Sequence, residues 1–215
     1  MMFDICNSNN VVHCSSSAFS IRDGRMVMAK LKEILTKEYE FDKWMSVMLI
    51  LFAFVFSGIF GFLYEEVFYR IDLGEFVKRG TTAGPWIPIY GFGGIIILLL
   101  TKKIKSKPWL IFIVSVLASG IVEFATGYFL FHYMDGLRLW DYNTEIWNWG
   151  NIGGYVCLRS VLFFGVSGVM LVNVIMPLIS SFAEKANRKI LSTVLIVLSV
   201  LFVLDILLSS VLHII

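Results

Sequence analysis

The chain has 215 residues, 58% of them apolar and only 16% charged, with a mean hydropathy of +0.79. Soluble domains run about 45–50% apolar and about 25% charged, and a chain this short cannot hide the excess in its own core. Composition therefore excludes a simple soluble globule and a disordered chain. Three cysteines exclude a disulfide scaffold, and a net charge of +2 makes no case for nucleic acid. What remains is a protein whose solvent is lipid.

Residues 1–43 are polar and show no signal-peptide pattern. Met28 follows Gly24-Arg25, a pair whose codons can carry a ribosome-binding purine run. Translation is therefore expected to begin at Met28, with residues 1–27 untranslated. From Met28 to Lys43 the apolar residues Leu31, Ile34 and Leu35 share one face among Lys30, Lys32 and Lys37. That pattern predicts a short amphipathic helix on a membrane surface. The domain reading is thus a polar segment over 1–43 and a transmembrane helical domain over 44–215.

A membrane helix needs roughly 20 apolar residues. Spans are predicted at Trp44–Glu66, Trp86–Thr101, Trp109–His132, Tyr155–Ser180 and Ile190–His213. The second is short and reads either as a crossing or as a re-entrant segment. Basic residues separate the two. With five crossings and the N-terminus inside, thirteen Lys and Arg fall on the inner side and four in the outer loops. A re-entrant second segment spoils that bias, so the positive-inside rule favours five crossings with the N-terminus in the cytoplasm. The fold class is all-α, a polytopic integral membrane protein. All six tryptophans (44, 86, 109, 140, 147, 149) fall at or near span ends. Ala53, Ser57 and Gly61 on span one repeat every four residues, as do Ser115, Ser119, Glu123 and Gly127 on span three. Small residues at that spacing let helices pack closely in lipid.

Charged side chains within spans are costly and usually functional. Glu65 and Glu66 close span one, Glu123 sits in span three, Arg159 opens span four and Asp205 lies in span five. Their positions along the spans place them together in the outer part of the bilayer. Glu65, Glu123 and Asp141 with Arg79 and Arg159 could line one polar pocket opening on the outer leaflet. Alternatively they form structural ion pairs, with Glu123–Arg159 the expected pair. Asp205 and Glu66 read as snorkelling residues or helix contacts. The three cysteines (6, 14, 157) and three histidines (13, 132, 213) lack metal-ligand spacing, so no metal and no cofactor are expected.

The same residues carry a resemblance. Glu65, then Arg79-Gly80, then Gly84-Pro85-Trp86-Ile87-Pro88-Ile89-Tyr90-Gly91-Phe92-Gly93 form one block. Glu123, Trp140-Asp141-Tyr142, Asn151-Ile152-Gly153-Gly154, Cys157-Leu158 and Ser160 follow downstream. From about Ser46 to Pro177 the pattern resembles the family named Putative ABC-transporter type IV, or CmpB-like. The resemblance implies a bacterial, multi-pass protein of the cell membrane and the permease part of a transporter. It adds Tyr90, Tyr142 and Asn151 to the pocket candidates Glu65, Arg79, Glu123, Asp141 and Arg159.

The chain has no phosphate-binding GxxxxGK[ST] loop, so ATP hydrolysis would fall to a separate subunit. Five helices are few for a translocation path, so a homo- or hetero-oligomer is expected, with membrane lipids as further partners. An alternative is a membrane-embedded enzyme acting on a lipid or lipid-linked substrate, its carboxylates and arginines binding a head group and moving protons. The absence of GxSxG or HExxH signatures weighs against common hydrolases. A third reading is an accessory membrane scaffold.

Overall fold

The computed structural model describes residues 24–212, and these are helical with no strand among them. The readings placed on residues 1–23 and on His213, including Cys6, Cys14 and His13, lie outside the described residues. The chain divides into two units, Met1–Glu38 and Tyr39–Ile215. The first contains helix α1, residues 24–36, where Thr36 Oγ1 donates back to the Lys32 carbonyl at 2.9 Å. The predicted amphipathic helix thus starts earlier than Met28 and stops before Lys43.

The second unit holds the apolar helices. Helix α2 spans Lys43–Leu73. Asp42 caps it, its Oδ1 accepting from the Met45 N–H at 3.0 Å, and Gly74 ends it at φ 78°. Its 31 residues reach about 46 Å, well beyond a hydrocarbon core of about 30 Å. No breaker follows Glu66 until Gly74, so the helix continues past the predicted end and carries Tyr69 outward. Helix α3, Pro88–Thr101, has 14 residues and starts on a proline. Helix α4 is Pro108–Tyr133. Helix α5, Leu158–Lys185, contains a π-helical turn over Leu171–Ile175. Pro177 lies just beyond and has no N–H for the usual i−4 carbonyl, at Asn173, so the ladder loosens there. Helix α6 is Arg188–Leu212. Helices α2, α4, α5 and α6 are long and apolar enough to cross a membrane, and α3 is the shorter apolar one.

Side-chain contacts set the packing directions. Against α2, Tyr90 of α3 meets Gly61, Gly91 meets Phe54 and Gly94 lies beside the Ala53 carbonyl, so the two run antiparallel. A Cβ on Gly94 would come within 2.8 Å of the Ser57 Cβ, so the approach needs glycine. On α4, Ser115 faces Gly168, Gly120 faces Val161 and Gly127 faces Tyr155, again antiparallel. Both small-residue stripes therefore bring a neighbouring backbone close. Helix α6 runs parallel to α2. Trp44 donates to Ser192 at 3.1 Å, and Phe202 stacks on Phe54 and Trp86 further along. Helices α2, α4 and α6 thus point one way, α3 and α5 the other. Buried clusters around Met48, Phe54 and Ile97 fill the seams. Large apolar side chains such as Leu117, Ile121, Leu204 and Leu207 cover the outside, as lipid requires.

The two ends of this unit differ. One end holds the starts of α2, α4 and α6, with Trp44, Trp109, Lys102–Lys107, Lys185 and Arg188. There Arg188 donates to Asp42 at 2.6 Å and Asn173 to the Lys105 carbonyl at 2.8 Å. The other end gathers the loops 74–87 and 134–157 with the remaining four tryptophans.

Candidate functional site

At that second end the chain re-enters between helices before α3 begins. Ile87 N–H donates to the Gly58 carbonyl at 3.0 Å, fifteen residues before the end of α2. The loop above it is pinned by Asp205 of α6. Its carboxylate accepts from the Ala83 N–H at 2.9 Å, the Gly84 N–H at 2.7 Å and the Trp86 indole at 2.7 Å. Thr82 bonds the Trp86 carbonyl at 2.6 Å. Backbone at this depth survives only where protein satisfies it, and these bonds do so. Asp205 therefore anchors a loop, and is neither a snorkelling residue nor a contact to a neighbouring helix.

Pinning the loop places Arg79 over α2. Arg79 Nε donates to Glu65 at 3.1 Å, and its guanidinium lies 3.7 Å from the Tyr69 ring centre. Burial works against the Arg79 charge, but Glu65, Tyr69 and Glu145 around it more than offset that and hold its pKa above the ordinary value. Tyr90, one turn into α3, faces Glu65 as well.

The 134–157 loop folds onto itself. Asp141 accepts from Arg138 at 3.3 Å and from the Asn143 N–H and side chain at 3.0 and 2.7 Å. Asn151 donates to Asn143 at 2.8 Å and accepts from the Gly154 N–H at 2.9 Å. This frame delivers two side chains inward. Glu145 takes a hydrogen bond from the Tyr69 hydroxyl and an ion pair from Arg159 at 2.5 Å. Arg159 also lies 3.8 Å from the Phe68 ring centre. Tyr142 donates to Glu123 at 2.6 Å, as does Ser160 at 2.6 Å. Burial, then the Glu123 charge, pushes the Tyr142 phenol well above its ordinary value, so it stays a donor.

These groups line a cavity of about 550 Å³. Its walls include Glu65, Arg79, Tyr90, Glu123, Tyr142 and Arg159. Asp141 and Asn151 are not among them; both act in the frame of the loop. The expected Glu123–Arg159 pair is absent: Arg159 binds Glu145, and Glu123 binds two hydroxyls. Sequence reading missed Glu145 and Tyr69. Glu145 sits in a polar loop where an acidic residue raises no alarm, and Tyr69 sits beyond the predicted end of span one. Ser160 stood in the family pattern without a role. Among the described residues, no group of three His, Cys, Asp or Glu could hold a metal ion.

The family comparison covers this whole assembly. A sequence model described as Putative ABC-transporter type IV matches residues 52–210. The match begins inside α2 and runs through both loops to α6, beyond the Pro177 limit of the sequence resemblance. No curated protein and no solved structure matches the chain. With most of its length inside that match, the chain belongs to the Putative ABC-transporter type IV family.

Proposed function

We propose that this chain is the membrane-spanning permease component of an ABC-type transporter, and that the Glu/Arg cavity is where it holds cargo. A transporter-related membrane component follows from the family and the apolar helices. The single observation that supports the finer reading is the cavity itself. About 550 Å³ is within the roughly 300–1,000 Å³ of small-ligand sites. It lies where a short helix starts deep between its neighbours, as discontinuous helices do at transporter sites.

In this reading all five helices cross. Helix α3 makes up for its short length because the loop before it descends to the level of Gly58. The end rich in Lys102–Lys107, Lys185 and Arg188 faces the cytoplasm by the positive-inside rule, and the cavity opens toward the outer leaflet. The protein then sits in the cell membrane of a bacterium, surrounded by lipid, in a homo- or hetero-oligomer with a separate ATP-binding subunit. Residues 1–43 form a polar cytoplasmic segment and 44–215 the transmembrane domain. Glu65, Arg79, Tyr90, Glu123, Tyr142 and Arg159 are the contact residues, and Asp141 and Asn151 shape the loop above them.

Affinity purification from native membranes in mild detergent, with mass spectrometry of proteins, tests this. The expected result is a stoichiometric ATP-binding subunit. Purification without any such subunit, at normal abundance of the chain, would overturn the permease reading.

A further inference from the structure

Three carboxylates line the cavity, and two are matched. Glu65 faces Arg79 and Glu145 faces Arg159, each within ion-pair distance. Glu123 differs. It is 5% exposed, and both its partners, Tyr142 and Ser160, bond the same oxygen, Oε1. Its second oxygen, Oε2, is buried with no partner. Among the described residues, no Lys, Arg or His lies within ion-pair distance of Glu123. An unpaired buried polar atom is costly, and ionised groups are costlier still. That leaves Oε2 as an acceptor for an occupant of the cavity to satisfy.

The surroundings select the kind of occupant. Tyr90, Tyr142 and Phe164 share the wall with Glu123, and the Tyr90 and Phe164 rings stack at 5.1 Å. The two arginines already cover other rings, Arg79 on Tyr69 and Arg159 on Phe68. Arg159 also reaches to 5.5 Å from the Tyr142 ring centre, which leaves a carboxylate oxygen near the Tyr90 and Phe164 rings, two that carry no protein cation among the described residues. Aromatic faces with an acid are how proteins hold ammonium groups. Arg159 Nε is the other buried unpartnered atom on this wall, a donor for a hydroxyl or phosphodiester oxygen.

We propose that the ligand of this cavity carries a cationic amino group seated on Glu123 Oε2. The proposal rests on the reading of the cavity as the cargo site and names the chemical class of that cargo. The amino group belongs either to a small water-soluble solute or to a lipid head group, and the two arms of the test separate these sources. The first compares ethanolamine with its uncharged isostere propan-1-ol by equilibrium dialysis against the purified full-length chain in detergent. The second compares phosphatidylethanolamine with phosphatidylglycerol by native mass spectrometry of the same preparation.

In at least one arm the amine should bind about tenfold more tightly than its counterpart, the size of one charged hydrogen bond. E123Q should erase that preference while its thermal melt by circular dichroism stays near wild type. Equal binding within both pairs, or a preference that survives in E123Q, overturns the proposal. The wild-type comparison needs no variant, so a misfolded E123Q leaves the test standing. It needs no ATP-binding subunit either. Amine selectivity without a copurifying ATPase would sink only the permease reading, and the reverse result only this one.

Discussion

Glu145 joins three elements through two oxygens: Tyr69 of α2 on one and Arg159 of α5 on the other, with its own loop between. Arg159 and Glu145 keep only 12% and 5% of their side-chain surface. Removing one member of such a pair leaves a buried charge without compensation, which costs more than the pair itself contributes. Glu145→Ala should therefore destabilise the protein by about 3 kcal/mol, and adding Arg159→Met should restore a good part of it. Thermal melts of both variants in detergent check this. A double variant no more stable than the single one would show that the charge pairing is not the cause.

At the level of helices, the α4–α5 seam is set by small residues. A Cβ on Gly168 would sit 2.8 Å from the Ser115 Cβ and still closer to its hydroxyl. Ser115 is fully buried, so it has nowhere to move. Overpacking of this kind costs about 1–3 kcal/mol. Gly168→Ala should lower stability by about 2 kcal/mol, and Ser115→Gly in the same chain should recover most of it. Chemical unfolding of the single and double variants decides the matter; additive losses would mean that the two sites are not in contact. The same seam carries Glu123 to Ser160, so its register also places the unpaired carboxylate.

For the molecule as a whole, alternating helix directions and one strongly basic end lead to a testable orientation. A fluorescent protein fused in the loop at Lys105 should fold and fluoresce in the cytoplasm. Alkaline phosphatase fused at Asn143 should be active outside. Silence of both reporters would contradict five crossings with the N-terminus inside and is the outcome a re-entrant α3 gives, because α4 separates the two positions in either case.

Much of this was written in the linear order of residues. Apolar composition and long uncharged runs determine helices in lipid, because nothing else hides so much apolar surface or satisfies so much backbone. The four-residue spacing of Ala53, Ser57 and Gly61, and of Ser115, Ser119 and Glu123, marks the faces where helices approach. The Gly-Pro-x-x-Pro run and Glu123 mark the end of the bundle where the cavity forms. Pairing was not legible. Glu123 and Arg159 share a depth, and depth alone suggests that they meet. Only the fold of the 134–157 loop carries Glu145 to Arg159 and leaves Glu123 to Tyr142 and Ser160. Asp141 and Asn151 look like pocket residues by type, yet they spend their hydrogen bonds holding that loop. Which charges meet depends on loop geometry and on three helices packing at once. A span's periodicity reports one face of one helix and carries no information about the side chain that arrives opposite.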